Sequence, residues 1–256
     1  MRRYPSRGPS HSSFSFGPGA LTPAIKILII TNVALFLLMW LLPAGLTQAL
    51  QEFFGLVPAA IFGSLRLWQP VTYMFLHDTN EIGHILINML ALWMFGTELE
   101  RMWGTKAFLR YYFATGVAAA ITTILVSLAP FPAASRMFYT VTIGASGAIY
   151  GLLLAYGLTF PNRPIYIYFI FAIPAKYFVM IMGAIALLSS MGNSGGSIAH
   201  ITHLGGLVAG YLLLRGGRLS PANEVRYRYL RWKMDRARKK FGVYSGGKSD
   251  WDKHVH

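Results

Sequence analysis

Gly144-Ala145-Ser146-Gly147-Ala148-Ile149-Tyr150-Gly151, continued by an apolar run to Phe160, contains no charged residue and carries one serine hydroxyl near its start. The segment reads as a membrane helix, slightly shorter than the roughly 20 residues a span usually needs. Ser146 and Tyr150 stand at i, i+4 on one face. Gly147 and Gly151 form a parallel small-residue stripe, and such stripes let helix backbones approach closely in a membrane. A hydroxyl is costly to bury in hydrocarbon without a partner, so Ser146 needs a group to meet.

Five further apolar stretches accompany it. The six expected spans are residues 25–42, 82–98, 107–129, 144–160, 175–190 and 198–214. The chain is 54% hydrophobic and 12% charged. That charged fraction is about half of what a soluble domain carries, which excludes an ordinary water-soluble fold. The expected class is an all-α polytopic membrane protein. Residues 43–81 are too long for a bare connection; with Phe53, Phe54, Leu56, Ile61, Leu67 and Trp68 they should fold on themselves and sit partly in the outer interface. Residues 164–174 read as a short hairpin or as an extension of the fifth span.

The net charge of +14 is concentrated in one place: twelve of the 23 Lys/Arg lie between Arg215 and His256. This pattern favours a topology anchor over nucleic-acid binding. Arg2, Arg3, Arg7 and Lys26, then Arg101, Lys106 and Arg110, then Arg163 and the tail all fall on one side, against Arg66 and Arg136 on the other. Both termini are therefore expected in the cytoplasm. The expected organisation is an arm over residues 1–24, a membrane domain over 25–214 and a basic tail over 215–256. The Ser-, Gly- and Pro-rich start shows no cleavage site after a short apolar core, so no removable signal is expected. The absence of cysteine excludes disulfides, thiol catalysis and Cys-ligated metals.

With this orientation spans two, four and six run in the same direction. His84, Ser146 and His203 each lie within the first two turns, so they should share a depth near the outer surface. His84 and Asn88 are i, i+4; His203, Gly206 and Gly210 follow i, i+3, i+7. Close approach of spans four and six would set a hydroxyl against an imidazole. A serine becomes a nucleophile when a base accepts its proton, and His203 can then protonate a leaving amine. His84, the Asn88 amide and the Ser146 backbone N–H can donate to an oxyanion. Asp78 and Glu81 lie in the loop before span two, so a Ser–His dyad is expected, with Tyr150 stacked on the imidazole.

His84-x-x-x-Asn88, Gly144-x-Ser146-Gly147 with Tyr150 and Gly151, and His203-Leu-Gly-Gly206 with Gly210 together resemble the rhomboid intramembrane serine proteases. Phe75-Leu-His77 and Gly96-x-x-x-Glu100-x-x-Trp103-Gly104 add to the resemblance, which covers roughly residues 68–210. It implies a six-transmembrane-helix rhomboid-like bundle with a structured outer loop between helices 1 and 2. It implies Ser146 as nucleophile, His203 as base, and His84 and Asn88 in the oxyanion site. It implies supporting roles for Tyr150, Gly144, Gly147, Gly206 and Gly210, no metal and no cofactor. The implied partners are transmembrane protein substrates and the lipid bilayer, with no nucleic acid. A bacterial plasma membrane is expected. Residues 191–197, with three glycines, would form a mobile cap. Where the family commonly has Trp-Arg, this chain has Trp68-Gln69.

Taken singly, each polar residue is better explained by packing: a serine in a helix contact, a His–Asn pair bonding between helices, a structural histidine. His200 and His203 at i, i+3 lack an evident third metal ligand. The shared side and depth favour catalysis over these readings. An inactive scaffold of the same family would usually lack the serine or the histidine, and a transporter would show inverted repeats.

Overall fold

The computed structural model describes residues 17–130, 132–167, 171–191, 197–219 and 236. Residues 192–196 of the expected cap and most of the basic tail lie outside these residues.

Helix α1 (Pro23–Leu41) begins with proline in its first turn, where the missing N–H costs nothing. Its free N-terminal amides are capped from another part of the chain. Ala24 N and Ile25 N donate to the Glu100 carboxylate at 3.0 and 3.1 Å, and the Thr22 hydroxyl also bonds it. Thr105 Oγ1 adds a fourth bond at 2.6 Å.

The long segment that follows folds on itself as expected, through α2 (Ala44–Phe54), α3 (Pro58–Ser64), α4 (Gln69–Thr72) and a 3₁₀ turn (Tyr73–Phe75). Gln69 is its hub. Its side-chain oxygen accepts from Val57 N at 3.0 Å, and its amide donates to Glu52 O at 3.1 Å and Phe53 O at 3.3 Å. Trp68 Nε1 donates to Phe53 O at 2.9 Å. Gln69 therefore ties the loop together where the family commonly has arginine.

α5 (Ile82–Ala91), a π turn (Leu92–Gly96) and α6 (Thr97–Trp103) form one continuous rod. It runs five residues past the expected end at 98. Its charged residues find partners elsewhere in the chain: Glu98 pairs with Arg163, Glu100 caps α1, and Arg101 donates to the carbonyls of Pro18 and Ala20. Gly104, at φ +78, breaks the rod, a conformation L side chains resist.

α7 (Thr105–Ser127) and α8 (Pro132–Tyr139) lead to α9 (Ser146–Thr159), the central helix. α9 is apolar on every side, the signature of a helix enclosed by others. A Cβ on Gly147 would meet Ala119 of α7 at 2.8 Å, and one on Gly151 would meet Thr115 at 2.7 Å. Next comes an antiparallel hairpin, β1 (Pro164–Ile167) and β2 (Phe171–Pro174), pairing Ile165 with Ile173 and Tyr166 with Ala172. α10 (Ala175–Ser190) and α11 (Ser197–Leu219) complete the described elements.

The architecture is an all-α bundle carrying one small hairpin. Pro23–Leu41, Ile82–Trp103 and Thr105–Ser127 are long and apolar enough to cross a bilayer, and Ser146–Thr159 and Ala175–Ser190 are shorter apolar helices. α11 continues to Leu219, beyond the expected limit of 214.

Candidate active site

The site begins where the chain enters α9. Thr142 forms a bridge with Leu56, each N–H bonding the other's carbonyl at 2.9 Å, and Gly144 N donates to Tyr73 O at 2.9 Å. These bonds fix the entry strand against the long loop. Gly144 adopts φ +123, and a Cβ there would lie 3.0 Å from His84 Nε2 and 3.7 Å from Ser146 Oγ. Glycine is thus required by its backbone and by its neighbours, and the imidazole and hydroxyl face one another across it.

Glycines also set the approach of α11. A Cβ on Gly206 would sit 1.9 Å from the carbonyl oxygen of Gly147, and one on Gly210 would sit 3.1 Å from Gly151 Cα. The two backbones touch, and α7 braces both: Thr123 Oγ1 bonds Thr202 Oγ1 of α11 at 2.7 Å and Tyr111 OH donates to Gly151 O of α9 at 2.9 Å. This close packing leaves His203 Nε2 2.8 Å from Ser146 Oγ. The Tyr150 ring lies flat on His203, with centroids 4.2 Å apart and planes 8° apart. His200 meets the same imidazole edge-on at 5.6 Å. Among the described residues His203 Nδ1 has no hydrogen-bond partner, so no carboxylate orients the ring.

α5 supplies the opposite wall. His84 Nδ1 accepts from the backbone N–H of Asp78 at 3.4 Å. A neutral ring that accepts at Nδ1 carries its proton at Nε2, the nitrogen nearest Gly144. Asn88 Nδ2 donates to His84 O at 2.7 Å, which leaves its second amide hydrogen uncommitted to that bond. Ser146 is the first residue of α9, where a backbone N–H has no acceptor within the helix.

His84, Asn88, Ser146, Tyr150 and His203 all line a single cavity of about 960 Å³, whose other walls are polar at Asp78, Asn80, Glu81 and Thr142 and apolar at Phe95 of the π turn and Phe178 and Met182 of α10. The structure therefore brings together every polar residue singled out from the sequence, with Gly144, Gly147, Gly206 and Gly210 at its contacts.

His77 was visible in Phe75-Leu-His77 but its position was not. It is fully buried with its ring 5.1 Å from His84. Burial, with the neighbouring His84 imidazole, pushes it down to about 3, so His77 is neutral. The bridge of Thr142 to Leu56 left no sequence signal, since it joins segments some 86 residues apart.

Comparison with known proteins identifies relatives over much of this chain. A family model described as the Rhomboid domain matches residues 64–217. Rhomboid protease GluP of Bacillus subtilis is 32% identical over 160 residues, 62% of this chain and 27% of that protein. The mitochondrial Rhomboid protein 1 of Saccharomyces cerevisiae is 31% identical over 147 residues, 57% of this chain and 40% of that one. Rhomboid protease GlpG of Haemophilus influenzae is 28% identical, with 57% and 68% covered. The chain thus spans well under half the length of the first two relatives. The motifs, the glycine-mediated packing of α9 on α11 and the match over most of the helical bundle lead to one conclusion: the chain belongs to the rhomboid family of integral membrane proteins.

Proposed function

We propose that this protein is an intramembrane serine endopeptidase that hydrolyses peptide bonds in or near transmembrane segments of other membrane proteins, using Ser146 and His203 as a dyad. The observation that carries the reading is the 2.8 Å contact between Ser146 Oγ and His203 Nε2 in a cavity large enough for an extended peptide.

In this mechanism Ser146 Oγ attacks the scissile carbonyl while His203 Nε2 takes its proton. The imidazolium returns that proton to the leaving amine, and the same nitrogen then activates a water that releases the acyl group. Tyr150 holds the ring in plane through its stacking, in place of an acid. The oxyanion receives hydrogen bonds from His84 Nε2–H, the free Asn88 amide hydrogen and the Ser146 N–H. The positive end of α9 adds to this field.

The substrate is a membrane-spanning chain, because the cavity lies within an integral membrane bundle and its deeper walls are apolar. Six spans from the apolar stretches, both termini in the cytoplasm from the charge pattern, and a bacterial plasma membrane remain our readings; two of the relatives matched are mitochondrial. The arm, membrane domain and basic tail are retained as the proposed organisation.

The test is cleavage of a single-span substrate in reconstituted vesicles, with labelling by a fluorophosphonate. Wild type should cleave and label, and Ser146→Ala should do neither. Labelling or cleavage that persists in Ser146→Ala excludes the proposal.

A further inference from the structure

The hairpin between α9 and α10 has no part in the chemistry above, and its composition is unusual. The stretch from Ile165 to Ile173 reads Ile-Tyr-Ile-Tyr-Phe-Ile-Phe-Ala-Ile, with no charge and with tyrosine hydroxyls as its only polar side-chain groups. A hairpin packed on a protein and exposed to water on its outer face alternates apolar and polar residues. This one does not. Ile165 is buried on the inner face, whereas Tyr166, which pairs with Ala172 on the outer face, is 47% exposed, and Phe171, which pairs with Ile167 on the inner face at the end of the hairpin away from Pro164 and Pro174, is 65% exposed.

The neck of the hairpin fixes where it sits. Ala175 N donates to Arg163 O at 2.9 Å and Lys176 N to Pro161 O at 3.1 Å, so β2 leads directly into the first turn of α10. Arg163 pairs with Glu98 near the end of the 82–103 rod and lies 4.5 Å over the Phe160 ring. The hairpin therefore stands at the end of α9 remote from Ser146, beside the Arg163–Glu98 ion pair. Past Lys176, α10 exposes Tyr177, Met180 and Ile181 at helical spacing, the kind of surface a membrane helix turns to lipid.

We propose that the β1–β2 hairpin is an interfacial membrane anchor, seated at the headgroup–acyl boundary of the leaflet opposite the mouth of the Ser146 cavity, and that it sets the depth of α10. Lipid is the occupant because the hairpin leads directly into α10, which exposes Tyr177, Met180 and Ile181, and because aromatic side chains favour this zone. The depth follows from the backbone. β1 and β2 pair only with each other among the described residues, so both edges keep unpaired N–H and C=O groups. Such groups are not tolerated in the hydrocarbon centre, but headgroups and interfacial water satisfy them at the boundary. Lys176 at the neck keeps its ammonium 5.0 Å from the Tyr177 ring, over an aromatic face at the same level. Because α10 supplies Phe178 and Met182 to the cavity, its anchored first turns fix one wall of the site. The inference needs the membrane bundle but not the proteolytic chemistry.

The chain has no cysteine, so single labels are clean. Tyr166→Cys, Phe171→Cys and, as a reference on the neighbouring turn, Lys106→Cys are each labelled with an environment-sensitive fluorophore. Each is reconstituted in vesicles of phosphatidylcholine and phosphatidylglycerol. Quenching is read with nitroxides at the headgroup and at shallow and deep acyl positions, and with aqueous iodide. The labels at 166 and 171 should be quenched best by the headgroup and shallow acyl nitroxides, and be at least threefold less sensitive to iodide than the label at 106. Iodide sensitivity equal to that at 106 overturns the proposal. Protection from iodide and from every lipid nitroxide also overturns it, and would indicate that a second copy covers the hairpin. None of these readings depends on activity, so a failed anchor and a failed protease assignment are distinguishable.

Discussion

At the level of single residues the site depends on groups that leave no alternative. Gly206 is the sharpest case, since a Cβ there would fall 1.9 Å from a backbone oxygen that cannot turn aside. Gly206→Ala should push α11 off α9, at a cost of about 3 kcal/mol or more because both partners are backbone. A lowered unfolding midpoint in detergent together with lost fluorophosphonate labelling is the expected result. Asn88→Ala should leave the fold intact and lower turnover on the order of 100-fold; an unchanged rate in vesicles would remove Asn88 from the oxyanion site. His77 supports a pH prediction. Its folded value of about 3 lies below the ordinary 6.5, so the unfolded chain binds the extra proton first. Stability from this group is complete above about 6.5 and declines as pH falls toward 3. His77→Phe should flatten the fall of the unfolding midpoint across that window.

At the level of elements, the capping of α1 by Glu100 ties together two helices whose sequences give no hint of the pairing. Four donors converge on one nearly buried carboxylate. Hydrogen bonds to a charged acceptor are worth about 1.5–3 kcal/mol each but do not add fully. Glu100→Ala should therefore destabilise by about 3 kcal/mol, read as a lower midpoint, with labelling of the folded fraction unchanged. The helices themselves were legible. A helix lies in each of the six apolar stretches, three of them long and apolar enough to cross a bilayer, and the rod of α5 and α6 ran past its expected end because partners distant in sequence satisfy its charged residues. Glu98, Glu100 and Arg101 are such residues. The ambiguity at 164–174 resolved as a hairpin because prolines at 164 and 174 bound it and pair across it. The internal wiring of the long loop was not legible, since Gln69 reaches backbone carbonyls whose positions only the fold defines.

At the level of the whole molecule, three polar motifs far apart in sequence line one cavity, and the sequence offered that convergence only as an expectation drawn from the direction of their spans. Gly147, Gly151, Gly206 and Gly210 at helical spacing then brought two of those spans into contact. Distances, the tautomer of His84 and the burial of His77 needed coordinates, because they depend on backbone bonds that carry no residue signature. The central claim is that one hydroxyl and one imidazole act together on a carbonyl. A mechanism-based chloroisocoumarin acylates a serine and then alkylates an adjacent histidine, so it reports both partners at once. Peptide mapping by mass spectrometry of the wild-type protein after this treatment should recover a single adduct joining Ser146 to His203, absent from Ser146→Ala. An adduct that maps to any other nucleophile, or one that survives in Ser146→Ala, would contradict the account.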